Sequence, residues 1–126
     1  MTMKKMTRIF AVLLSVALLL CSFSFATNST ANYRDQTVNY SCTASSTTAT
    51  AETCYPTVGM ERSASISAIY RHYVNGRETS DYAGNSMSNY SGDAYTFCSY
   101  SGAISVVATS SHSVESWSGV LTVNWP

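Results

Sequence analysis

From residue 37 onward, apolar and polar residues alternate along most of the chain with a period of two. Val38, Tyr40, Cys42 and Ala44 share one phase against Thr37, Asn39, Ser41 and Thr43, which predicts a strand with one buried face. Ser45 to Thr53 keeps the alternation through Ala49 and Ala51, either as the same strand past a bulge or as the return arm of a hairpin. Tyr55 to Arg62 holds Pro56 and Gly59 and reads as a connection. The longest periodic run puts Ala64, Ile66, Ala68, Tyr70, His72 and Val74 on one face and ends in Asn75-Gly76. That dipeptide accepts the two positive φ angles of a type I′ turn, so the run predicts a hairpin returning through Arg77 to Tyr82. Ala83 to Asp93, with Gly84, Asn85, Asn89 and Gly92, reads as a loop, and Ala94 to Cys98 as a short strand. Ile104, Val106, Ala108, His112 and Val114 keep one phase. After Glu115-Ser116 it restarts at Trp117, Leu121, Val123 and Trp125, which predicts a second hairpin. Six or seven short strands with turns at this spacing predict a small all-β antiparallel sandwich, because one sheet alone cannot cover its own apolar face. Residues 27–36 are polar without a period and read as a flexible lead-in, so residues 37–126 form the domain.

The first 26 residues follow a different rule. Lys4, Lys5 and Arg8 precede an uncharged apolar run from Ile9 to Leu20, which closes at Ser24-Phe25-Ala26. This is the layout of a secretory signal peptide removed after Ala26. The run is shorter than the roughly 20 residues that cross a bilayer, so no membrane span and a secreted product are expected. Cys21 follows Leu18-Leu19-Leu20 and could be the acylated residue of a lipoprotein, although a lipobox prefers a small residue where Leu20 stands.

Composition sharpens the β reading. Five of the six Leu residues lie before position 21, whereas all nine Tyr and both Trp follow it, and no Lys occurs after Lys5. A chain poor in strong helix formers and rich in Ser, Thr, Tyr and Val favours strands, with a core of aromatic and β-branched residues. The formal net charge of zero conceals a difference: three of the seven cations are in the leader while all seven acids follow it, leaving a net −3 domain. Its cations, Arg34, Arg62, Arg71 and Arg77, are too scattered for a phosphate-binding stripe, so nucleic acid is excluded as the expected partner.

Cys42, Cys54 and Cys98 are the disulfide candidates of the exported part. Their number is odd, and pairing Cys42 with Cys98 is preferred because both adjoin strand-like runs. Chain-entropy arguments give such a bridge about 4 kcal/mol, against about 3 for Cys42 with Cys54. Catalysis has little support, since no H-E-x-x-H, G-x-S-x-G or glycine-rich phosphate loop occurs. His72 and His112 could meet Asp93 or Cys98 at a metal, but lying in the apolar phase of strands they read as structural, and no cofactor, metal or catalytic residue is expected. Tyr82, Tyr90, Tyr95 and Tyr100 flank the Gly/Asn/Ser-rich segment and form a candidate binding surface for a cell-wall glycan or a surface protein; alternatively, the rings fill a Leu-poor core. Asn28-Ser29-Thr30, Asn39-Tyr40-Ser41 and Asn89-Tyr90-Ser91 match the N-glycosylation pattern, which an Asn/Ser/Thr-rich chain produces often.

The leader, the run Val106-Val107-Ala108-Thr109-Ser110-Ser111-His112-Ser113-Val114 and the closing stretch from Trp117-Ser118-Gly119 to Trp125 resemble small exported Ser/Thr/Tyr-rich proteins of Gram-positive bacteria. More distantly the chain is similar to lactococcin-type secreted β-sandwich bacteriocins, from which its three cysteines set it apart. The resemblance implies export and carries no functional residue. The expectation is therefore a secreted binding protein, with a bacteriocin-like toxin as the alternative and a small hydrolase as a remote one.

Overall fold

The computed structural model describes residues 24–126; residues 1–23, which hold Cys21 and most of the expected signal peptide, lie outside them. Eight strands form two antiparallel sheets, and no helix occurs among the described residues. Sheet A has the order β1 (Phe25–Tyr33), β2 (Gln36–Ala44), β3 (Thr48–Cys54), β6 (Ala94–Ser99). Sheet B has the order β5 (Arg77–Asn89), β4 (Arg62–Val74), β7 (Ser105–Val114), β8 (Trp117–Trp125). The small antiparallel β-sandwich expected from the alternation is the fold, with eight strands in place of six or seven.

The eighth strand is β1. From the sequence, Phe25 and Ala26 are expected to end the signal peptide and residues 27–36 to be a lead-in, yet Phe25 to Tyr33 pairs with β2 along its whole length. Thr27, Ser29, Ala31 and Tyr33 turn inward, but they are too small or polar, Tyr33 aside, to register as an apolar face, and none is fully buried. The position after Ala26 thus lies two residues inside a paired strand. Likewise, Ala83 to Asn89 is no loop: it continues β5, whose 13 residues all pair with β4. Glycine and asparagine disfavour strands locally, and the adjacent β4 ladder overrides that preference. Asn75 (φ 51°) and Gly76 (φ 74°) make the turn that the dipeptide predicts. Ser45 to Thr53 resolves as the return arm of a hairpin, with Thr48 opening β3.

Between the sheets the buried residues are mostly small. Cys42, Ala44, Ala49, Ala51, Ala64, Ala68, Ala94 and Ala108 pack with Ile66, Val106, Val123 and Trp125. A second cluster at one end joins Val38, Tyr55 and Val114 to Tyr33, Tyr40, Met60 and Trp117.

The two largest polar side chains buried in this core are Arg62 and His112. The Arg62 side chain, 1% exposed, donates to the carbonyls of Tyr55, Thr57, Met60 and Tyr90 and lies 5.9 Å from the Tyr55 ring centroid. It organises the connection from β3 to β4 and ties it to the end of β5. His112, 2% exposed, joins the two sheets. The Thr53 hydroxyl donates to the Ser63 carbonyl at 2.8 Å, so its lone pair must accept from His112 Nδ1, also at 2.8 Å. Nε2 is then the bare nitrogen and accepts the Ser110 hydroxyl at 2.6 Å. His72 lies far from this chain of bonds, on the protruding β4–β5 hairpin, where it meets Asp81 at 3.2 Å.

Candidate functional site

The outward side chains of sheet A form rows set by strand register. Thr30, Asn39 and Cys54 make one row, and Asn28, Ser41, Glu52 and Tyr95 the next. Thr43, Thr50 and Phe97 follow, with the Thr43 and Thr50 hydroxyls bonded to each other at 2.5 Å. Short polar side chains on β1 to β3 leave an open trough of about 600 Å³ lined by Asn28, Thr30, Asn39, Ser41, Glu52 and Cys54. A second depression of about 490 Å³ continues from Asn39 and Cys54 past Gln36 to Asp93. On the β6 side the face is bordered by Tyr95 and Phe97, 46% and 50% exposed, with ring centroids 6.3 Å apart.

Where the two depressions meet, Glu52, Cys54 and Asp93 each bring a ligand atom within 4.8 Å of the other two. The Cys54 thiol donates to Glu52 Oε1 at 3.1 Å. Burial, followed by the hydrogen bond and charge of Glu52 and then of Asp93, pushes this thiol up to about 12, so it stays protonated at neutral pH. The trio could hold a cation, with two carboxylates as hard donors and sulfur as a soft one. Glu52 and Cys54, two residues apart on one strand, share a face by simple alternation. Asp93 joins them only because β6 pairs with β3, placing the residue before Ala94 beside Cys54, which no local pattern reveals.

The expected tyrosine surface does not assemble. Tyr95 alone of the four is on this face. Tyr82 is exposed on the outside of sheet B, in the same row as Ile69. Tyr90 follows β5 and donates to Glu61 at 3.1 Å. Tyr100 is buried, stacked on Tyr70 at 4.6 Å, with its hydroxyl donating to the Ser45 carbonyl at 2.7 Å. It continues the inward phase of Cys98, which is why it fills the core. Phe97, unmarked by its sequence context, pairs with Tyr95 because the two alternate outward on β6.

The preferred disulfide is also corrected: Cys42, Cys54 and Cys98 are all free. Cys42 is opposite Ala51 and Cys98 opposite Ala49, so β3 stands between them. Two strand spacings together with the two-residue stagger put their Cα atoms roughly 12 Å apart, beyond the roughly 7 Å limit for a bridge. Cys54 points to the opposite face from both. Burial raises the pKa of the Cys42 and Cys98 thiols and keeps them unreactive. We expect a thiol titration of the unreduced, denatured domain to find three free thiols; a count of one would show that β3 had yielded to a bridge.

His72 and His112 do not converge with Asp93 or Cys98 on a metal. Ser110 and His112 have the spacing of a nucleophile and its base, but Ser110 is completely buried and touches no solvent. Among the described residues no helix is long and apolar enough to cross a membrane. No family model, curated protein or solved structure matches this chain.

Proposed function

We propose that this is an exported, non-catalytic binding module that engages glycan at the cell envelope or in the medium through the outer face of sheet A. The observation that carries this reading is the pairing of two half-exposed aromatic rings, Tyr95 and Phe97, with an adjoining trough of amides and hydroxyls in which Glu52 is the one charged side chain. Sugars present an apolar C–H face and a rim of hydroxyls. Rings take the first, and side chains such as Asn28, Asn39 and Ser41 take the second. The trough volume falls within the range of small-ligand sites, and its open shape suits a chain that runs across the face.

Immobilised peptidoglycan and β-1,4-linked hexosamine oligomers test the reading. The wild-type domain is expected to bind, and Tyr95→Ala to weaken binding about tenfold, the equivalent of ~1.4 kcal/mol, at unchanged thermal stability. Retention that does not depend on Tyr95 or Phe97 would place the contact elsewhere.

A further inference from the structure

We infer that two copies of this domain dimerise face to face through the outer side of sheet B, the apolar row of one copy lying on that of the other. The inference stands apart from the glycan reading, which concerns sheet A.

The row is set by register. Tyr82 on β5 lies beside Ile69 on β4, and Ile69 beside Val107 on β7. All three point away from the core and are between 46% and 66% exposed. Val120 adds to the same face from β8, opposite Ser111. A contiguous apolar patch with a polar border marks an interaction site. Gly84 keeps this patch low: a Cβ there would come within 2.6 Å of the Tyr82 hydroxyl, so the ring lies along β5 over the glycine and does not stand up from it. Mid-strand glycine weakens a strand, and here it makes the room that a flat ring and a second sheet need.

Charge and hydrogen bonding select a second copy as what covers the face. The net −3 domain repels its own kind wherever acids are exposed. Of its seven acids, Asp35, Glu61 and Glu115 are at connections, Glu52 and Asp93 on the sheet A side, and Asp81 on the inward phase of β5. Glu78 alone is on this face, bound to Arg71 at 2.7 Å, and the remaining outward residues of the four strands are uncharged. The rows next to the apolar one carry Ser65, Ser67, Thr109, Ser111 and Thr122. A hydroxyl both donates and accepts, so rows of hydroxyls complement their own image, as a two-fold interface requires. Four strands about 4.8 Å apart and about ten residues long present about 600 Å² per copy, about 1,200 Å² in all, which reaches the lower bound of stable interfaces. Stacking there leaves the trough of sheet A open on both copies, pointing in opposite directions.

Sedimentation equilibrium of the purified protein, with reductant excluding any Cys54-linked pair, is expected to show a monomer–dimer equilibrium with a Kd of about 10 µM. Ile69→Asp should weaken it at least about tenfold at an unchanged melting temperature, because it sets carboxylates against each other while Arg71, the one cation on the face, is already paired. Val107→Asp carries the same expectation where the first variant folds poorly. Mixing Ile69→Asp with Ile69→Arg should restore association, whereas Tyr95→Ala on sheet A should leave the wild-type equilibrium unchanged. A monomer at about 500 µM, or a mixture that stays monomeric, overturns the inference. So does a dimer indifferent to both aspartate variants: its loss in Tyr95→Ala would assign the contact to sheet A, and its loss in Ser86→Pro to the free edge of β5.

Discussion

Replacing Arg62 with alanine is expected to lower the stability of the domain by about 3–5 kcal/mol, which is a large part of the roughly 5–15 kcal/mol available to a domain of this size. The guanidinium is buried and satisfies the carbonyls of Tyr55, Thr57, Met60 and Tyr90 at once. These carbonyls belong to the β3–β4 connection and the end of β5, which have few partners of their own. Truncation takes the guanidinium donors from the carbonyls of Tyr55, Thr57 and Met60, while the Tyr90 carbonyl keeps the Gly59 N–H at 2.8 Å, and each buried group left unpaired costs about 1–3 kcal/mol when water cannot replace the lost bond. Arg62→Lys keeps the charge but presents a compact ammonium in place of a planar fork, so it should recover only part of the loss. Urea unfolding at neutral pH measures both variants. A change below about 1 kcal/mol for the alanine variant would mean that the connection holds its shape without the arginine.

The second large effect is on pH dependence. Burial between the sheets lowers His112 from 6.5 to about 4, because the interior penalises the imidazolium. A histidine with a folded pKa below its unfolded value binds fewer protons in the native state. Its contribution is thus complete above about pH 6.5 and is lost as the pH falls toward 4. The depression corresponds to about 3 kcal/mol, lost across that window. The hydrogen bonds explain why protonation is resisted: Nδ1 already donates to Thr53, and a proton on Nε2 would confront the Ser110 hydroxyl that donates to it. Urea midpoints measured from pH 7.5 to 4 should therefore decline with pH. His112→Gln, which keeps a polar partner for Thr53 and Ser110 but takes no proton, should flatten the decline. An unchanged slope in that variant would assign the acid sensitivity to other groups.

Both effects arise at residues that a pattern reading treats lightly. Arg62 reads as the last residue of a connection, yet it opens β4 on the buried phase shared with Ala64 and Ile66. His112 is legible as structural because it keeps the apolar phase of β7, but its partner Thr53 is 59 residues away on the other sheet. The candidate site divides in the same way. That Glu52 shares a face with Cys54, and Tyr95 with Phe97, follows from alternation within a strand; that the two strands adjoin does not.

What the amino-acid order determined by itself is local: the period of two, the Asn75-Gly76 turn, the closing β7–β8 hairpin and hence the sandwich. These follow from short-range sterics and from the need of alternating apolar residues for a second layer. Only the tertiary structure decided that β3 separates Cys42 from Cys98, that β1 is a strand, that β5 extends to Asn89, and that Asp93 meets Cys54. Each depends on which strands lie side by side, a choice made by the summed pairing and packing of whole elements, and local sequence carries little record of it.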